Sequence, residues 1–218
     1  MNTYSNLISD CIICNGSTSF FGKQRDRVFR RCESCFTIFL NPAYFLSELE
    51  EQKHYECHVN DVKDKGYRDF TAPIWKEILK NHHKQEIGLD FGAGPGPVIS
   101  EVLRENGFLI ELYDPFFHPD EKVFTKKYDF IFASEVAEHF HDPLKEFMRL
   151  SNLLNPNGKL YVMTHLFEKN NRKEFENWYY IKDVTHVVIY HPNSFLEIAK
   201  SCGFSKFQIK DRLITLIK

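Results

Sequence analysis

The chain predicts an α/β protein built on a mostly parallel, twisted sheet, with a small four-cysteine segment ahead of it. Three features of its 218 residues carry that expectation. From Thr71 onward short apolar runs alternate with amphipathic ones, a glycine-rich turn joins one such run to a helix, and four of the six cysteines fall in pairs within the first 35 residues.

The cysteine pairs are Cys11-x2-Cys14 and Cys32-x2-Cys35, with seventeen residues between them, inside the spacing range of zinc ribbons. Each pair can occupy a tight turn that aims two thiolates at one tetrahedral zinc, closed at the first pair by Gly16, while "FFGKQRDRVFRR" between them supplies short strands. Chance pairing or a labile disulfide system is the competing explanation. A ribbon of this kind serves either as a reader of nucleic acid or protein or simply as a small fold that zinc holds together. Cys57 and Cys202 have no such partners and read as ordinary thiols.

"TAPIWKEILKNH" predicts an amphipathic helix, and Ile87 to Phe91 a short apolar strand. A glycine turn follows, and Pro97 opens a helix that places Val98, Ile99, Val102 and Leu103 on one face and stops at Gly107. "FLIELYD" is the next strand, ending at Asp114, so strand, turn, helix and strand form a right-handed βαβ unit. "YDFIFAS" gives a further strand. Asp142 and Pro143 cap a helix carrying Leu144, Phe147, Met148 and Leu154, which Asn155 to Gly158 ends before the strand "KLYVMTH". The chain closes with the helix "NSFLEIAKSCG" and two tightly linked strands, "FSKFQIK" and "RLITLIK", expected to pair antiparallel.

With 28 Lys+Arg against 30 Asp+Glu, no global basic field points to a long nucleic acid or an anionic membrane, although nucleic acid is not excluded. The first ten residues lack a basic, apolar leader pattern, and no run approaches the roughly 18 apolar residues of a membrane span. A cytoplasmic protein without a membrane partner is the expectation.

In "LDFGAGPGP" the glycines Gly92, Gly94 and Gly96 let backbone approach a ligand over a helix start. Pro97 stands where a dinucleotide fingerprint requires a glycine or small residue, which counts against a nicotinamide-dependent dehydrogenase, and no G-K-[ST] follows as in a phosphate loop. Asp90, Gly92, Gly94 and Gly96, in that order, resemble motif I of the class I S-adenosylmethionine-dependent methyltransferases. The resemblance extends to Asp114 at the end of the second strand, to "YDFIFASEVAEHF" and to "LLNPNGKLYVMT". It is closer still to a branch of bacterial methyltransferases with an N-terminal four-cysteine segment, through "YECHVNDVKDKGYRDF", "YDPFF", "EVAEHF" and "WYYIKDVTHV".

The resemblance implies a Rossmann-like methyltransferase fold divided into a zinc-ribbon-like segment (1–42), a helical lead-in (43–84) and a methyltransferase domain (85–218). It also implies S-adenosylmethionine as cofactor, a structural zinc on Cys11, Cys14, Cys32 and Cys35, and a methyl acceptor among small molecules, with O-methylation favoured. The other reading is a catalytically inactive ribbon and Rossmann-like binding module for protein or nucleic acid. Cofactor contacts are expected from Asp90, Gly92, Ala93, Gly94 and Gly96, from Asp114 to the ribose, and from Ser134 and Glu135. Only thirteen residues separate Asp114 from Tyr128, so the family's third strand is short or missing, and Pro115 and Phe116 are the expected adenine face.

A hydroxyl acceptor needs a base, for which His139 and His186 are the candidates, supported by Glu135 and followed by His165. If "EVAEH" were helical, Glu135, Glu138 and His139 would share a face. That pattern is similar to ubiquinone-pathway and small-RNA O-methyltransferases, which implies a second divalent cation on Glu135, Glu138, His139 and His186. The plainer reading has Glu135 on the cofactor or a backbone amide, Glu138 solvated and His139 packed or acting alone. Pro115 to Phe117 and Trp178 to Tyr180 could line an acceptor pocket or simply pack. Tyr55, Asn60, Tyr67 and Phe70 are expected to fold over the cofactor. The sequence leaves the oligomeric state open.

Overall fold

The computed structural model describes residues 10–57 and 61–218; Asn60 lies outside them. Two sheets organise the chain. The first begins as a hairpin of β1 (Thr18–Gln24) and β2 (Arg27–Cys32), to which β3 (Ile38–Leu40) adds antiparallel. Its fourth strand, β8 (Val188–Ile189), comes from the far end of the sequence and pairs with β3, Ile38 opposite Ile189 and Phe39 opposite Val188. The cysteine segment is therefore closed by a strand of the α/β unit. Phe21 and Phe29 of the hairpin also stack edge to face on Phe175 of α5 (Arg172–Asn177), so both parts bury one continuous apolar core.

α1 (Glu48–Glu56) and α2 (Lys65–Asn81) lead into the second sheet. The Asp64 carboxylate caps α2 by accepting from Tyr67 N at 2.6 Å, and Thr71, Ala72, Ile74 and Ile78 form its buried face. The six strands run in the order β5 (Leu109–Tyr113), β4 (Ile87–Phe91), β6 (Tyr128–Ser134), β7 (Leu154–Met163), β10 (Leu213–Ile217), β9 (Lys206–Lys210). The pairs from β5 through β7 are parallel, and β10 joins β7 and β9 antiparallel. α3 (Val98–Glu105) connects β4 to β5, α4 (Pro143–Leu153) connects β6 to β7, and α6 (Pro192–Cys202) precedes the last hairpin, ending at Gly203 in the left-handed region.

Between β5 and β6 there is a short 3-10 helix, Glu121–Thr125, and among the described residues no strand stands outside β5. The turn "NPNG" does not precede its strand as expected. It loops out within β7, Tyr128 facing Leu154 and Phe130 facing Lys159, with Asn157 left-handed. Among the described residues no helix is long and apolar enough to cross a membrane.

Candidate active site

The carboxyl ends of β4, β5, β6 and β7 meet at one edge, where ligands of open α/β sheets bind. After Phe91 the chain turns through Gly92 (φ 78°) and Gly94 (φ 60°) into α3. Gly92 is forced by space as well as by φ, since a Cβ there would lie 2.5 Å from Val136 Cγ2. At Gly94 a Cβ would meet nothing within 4 Å, so the turn presents bare backbone to open space. Gly92 N and Ala93 N donate to Tyr113 O at 2.8 and 3.0 Å, tying the turn to β5.

Two buried aspartates flank it. Asp90 accepts from Ser100 Oγ at 2.6 Å, and burial pushes its carboxyl up to about 7. Asp114 accepts from Gly94 N through Oδ2 and from Phe116 N and Phe117 N through Oδ1, all at 2.9–3.0 Å. A carboxylate has room for about four hydrogen bonds, so one position on Asp114 stays open. Tyr67 and Thr71 of α2 close over the turn, and with Asp90, Gly92, Gly96 and Ser134 they line a narrow cleft. Phe116 is half-buried against Tyr55 of α1, ring centroids 5.7 Å apart, while Pro115 is exposed. Phe70 lies under the Arg212 guanidinium, 3.8 Å from the ring centre.

Beyond Ser134 the segment does not turn helical at once. Glu135 is left-handed (φ 52°), because its N–H donates to Met163 O and extends the pairing of β6 with β7. Only Ala137–His139 forms a 3-10 turn. Glu135 is thereby separated from the other expected ligands and points toward Arg212, Oε1 to Nη1 3.6 Å. Burial and the neighbouring Glu138 carboxylate push Glu135 up to about 8, against the pull of Arg212.

The remaining three, Glu138, His139 and His186, come together with one potential ligand atom each, all within 4.8 Å. Glu138 is fully buried; its Oε1 accepts from Tyr180 OH at 2.5 Å, and its Oε2 has no partner. His186 Nδ1 lies 2.7 Å from Tyr180 O, and His139 Nδ1 lies 3.1 Å from Thr185 O and from Tyr55 OH. Carbonyl oxygens only accept, so each ring carries a proton on Nδ1, and Nε2 is the nitrogen that offers a lone pair whenever the ring is neutral. Burial, helped by the neighbouring His139, lowers His186 to about 4 and keeps it neutral. His165 stands apart, its Nε2 3.1 Å from Tyr179 OH, and burial lowers its pKa too. It lines a broader groove with Asp69, Lys76, Lys210 and Arg212.

Asp183, Thr185 and Arg212 carry no role in the sequence reading, and Tyr180 only that of pocket lining or packing. Tyr180 was visible only as one of three adjacent aromatics. Asp183 and Thr185 did carry a signal, an Asp two residues before a Thr, the pattern of an Asx turn. Asp183 Oδ1 accepts from Thr185 N and Oγ at 2.9 and 2.6 Å. Burial opposes its ionisation, yet these two bonds from Thr185 hold its carboxyl well below the usual range.

In the cysteine segment, Cys11 Sγ lies 3.5 Å from Cys35 Sγ and Cys14 Sγ 3.4 Å from Cys32 Sγ, with all four sulfurs within 4.8 Å. These separations are too long for disulfides and close to the roughly 3.8 Å edge of a tetrahedral site with Zn–S of about 2.3 Å. Asn15 and Phe36, each following the second cysteine of a pair, are both left-handed, so the two turns repeat one geometry. Ile13 N, Ser34 N and Cys35 N point at sulfurs at 3.3–3.4 Å, as donors to thiolates would.

Residues 64–209 match the model of a protein family described as a methyltransferase domain. Among solved structures, human N-acetylserotonin methyltransferase in complex with SAM is similar at 15% identity and TM-score 0.52, over 79% of this chain and 56% of that one. An O-methyltransferase family protein from Burkholderia thailandensis is similar at 11% identity and TM-score 0.51, over 77% of this chain and 61% of that one. The chain thus spans under two thirds of either, and identities this low speak for the fold alone. No curated protein sequence matches significantly.

Proposed function

The chain belongs to the methyltransferase-domain family, and from that membership we propose that it moves a methyl group from S-adenosylmethionine to a small-molecule acceptor, with oxygen favoured as the acceptor atom. The observation that carries this reading is the open-faced turn at Gly94, whose N–H shares the Asp114 carboxylate at the sheet edge. Asp114 offers acceptors for a ribose diol, Phe116 and Pro115 an apolar face for adenine, and Asp90, Gly92, Ala93, Gly96, Ser134 and Glu135 the walls around the amino-acid end. Methyl transfer from a sulfonium disperses charge, so alignment in a dry cleft matters most.

For an acceptor hydroxyl we assign the proton to His139 Nε2. His186, held neutral by burial, is the poorer base and orients its neighbour. Glu135, facing Arg212 at 3.6 Å, supports the cofactor end and not the base. The unpartnered Glu138 Oε2 supports a second reading, in which Glu138, His139 and His186 hold a divalent cation of the manganese, iron, cobalt or zinc class. Such an ion would polarise the acceptor oxygen and lower its pKa. Cys11, Cys14, Cys32 and Cys35 are assigned to a structural zinc.

Incubation with methyl-labelled S-adenosylmethionine and a fractionated cell extract tests the reaction. Label should enter one fraction and be lost with His139→Asn; label that persists undiminished in that variant would remove His139 from the chemistry. Metal analysis separates the two readings of the triad, with two ions per chain required by the cation and one by the base alone.

A further inference from the structure

One side chain of the cysteine segment reaches the backbone that carries the imidazole site. β1 and β2 are joined by Arg25 and Asp26, Arg25 being left-handed, and Arg27 follows as the first residue of β2, paired with Gln24. Its guanidinium donates through Nη1 to Asp183 O at 3.1 Å and to Val184 O at 3.3 Å, and through Nη2 to Ile181 O and to Gln24 Oε1. Three carbonyls of one short segment, 154 to 157 residues away in sequence, converge on a single cation.

That segment carries the imidazole site. Ile181 is fully buried and Asp183 and Val184 half-buried, so the Ile181 carbonyl in particular needs a donor inside the protein. Tyr180 O orients His186 and Thr185 O orients His139, so a shift of the backbone between them changes both rings together. Downstream the path is fixed again: Val187 N donates to Glu138 O, Leu40 N to Val187 O, and β8 pairs with β3. The cysteine segment therefore grips residues 181–189 at both ends, by Arg27 and by β3. A planar fork offers five donors in one fixed geometry, whereas an ammonium offers three on a flexible stem.

We propose that Arg27 is a positioning residue of the active site, fixing the course of Ile181 to Val184 and through it the orientation of His186 and His139. The cysteine segment then acts as part of the active-site scaffold and not as a detachable reader. The consequence for methyl transfer rests on the function proposed above; the effect on the loop does not.

The test uses the full chain with its metal, as wild type, Arg27→Met and Arg27→Lys, and reads amide exchange, histidine ring-nitrogen resonances and binding of S-adenosylhomocysteine. In Arg27→Met, exchange across 181–187 should rise about tenfold or more, as expected when charge-assisted hydrogen bonds are lost from a buried loop. The His186 resonances should leave the signature of a fixed Nδ1–H tautomer, and Arg27→Lys should recover only part of both effects. Binding of S-adenosylhomocysteine should stay within about threefold of wild type, because Asp90, Gly94 and Asp114 do not contact the loop. Unchanged exchange and tautomer in Arg27→Met would overturn the proposal. If that variant loses its metal, Arg27→Lys decides: retained metal with raised exchange supports the role, and retained metal with wild-type exchange refutes it. Failure of wild type to bind S-adenosylhomocysteine would instead strike the methyltransferase reading and leave the exchange result standing.

Discussion

Replacing Gly92 by alanine tests the fit between the glycine turn and the segment that carries Glu138 and His139. Two costs follow from the structure. At φ 78° an L-residue meets its own carbonyl, worth roughly 1–2 kcal/mol. The new Cβ would also lie 2.5 and 2.8 Å from the two Val136 methyls, an overlap that must be relieved by movement and costs about 1–3 kcal/mol. A total of about 2–5 kcal/mol is a large share of the 5–15 kcal/mol typical of a domain, and predicts a fall in melting temperature of about 4–20 °C. Thermal unfolding followed by circular dichroism measures it. Gly92→Ala combined with Val136→Ala should be less destabilised than the two single changes added together, since the overlap vanishes while the φ cost remains. Additivity within about 0.5 kcal/mol would show that the contact with Val136 does not govern this glycine.

The remaining predictions concern charge, metal and chemistry. Asp90 titrates near 7 when folded against 3.8 ordinarily, so its contribution to stability is complete below pH 3.8 and is lost as pH rises through 7. Asp90→Asn should therefore gain on wild type across that interval, by at most about 4 kcal/mol at pH 8, and unfolding free energies that differ from wild type by the same amount at about pH 4 and pH 8 would refute it. Zinc analysis of Cys14→Ser should show loss of the structural ion together with faster amide exchange in both β3 and β8, because they form one sheet; loss confined to β1 to β3 would contradict the shared sheet. His139→Asn should lower methyl transfer about 10²–10⁴-fold while cofactor binding is kept, the range for loss of a general base. Glu138→Gln should abolish any second metal but leave the cysteine-bound ion in place, as counted by elemental analysis.

Local chemistry made much of this chain legible. The order of β4, α3, β5, β6, α4, β7, α6, β9 and β10 follows from apolar periodicity and from punctuation at Gly107, Pro143 and Gly203. The missing third strand follows from the thirteen residues between Asp114 and Tyr128. The paired cysteines needed only their spacing. Hidden were the features that depend on distant partners. β8 is two residues long and has no period to read; it exists because Ile38 and Phe39, 150 residues earlier, offer it an edge. Glu135 sits in a sequence that reads as the start of a helix, yet pairing with Met163 holds it left-handed and removes it from the ligand set. Arg27 looked like one basic residue among several in a hairpin, and its three carbonyl partners could not be found without the fold.

Calorimetric titration with S-adenosylhomocysteine tests the cofactor assignment most directly. Binding with a dissociation constant on the order of micromolar is expected for wild type, and its loss in Gly94→Arg, whose Cβ would meet nothing within 4 Å and whose φ of 60° costs an L-residue about 1–2 kcal/mol, too little to unfold the domain. No heat of binding in wild type, or equal binding in the variant, would contradict the placement of the cofactor at this turn.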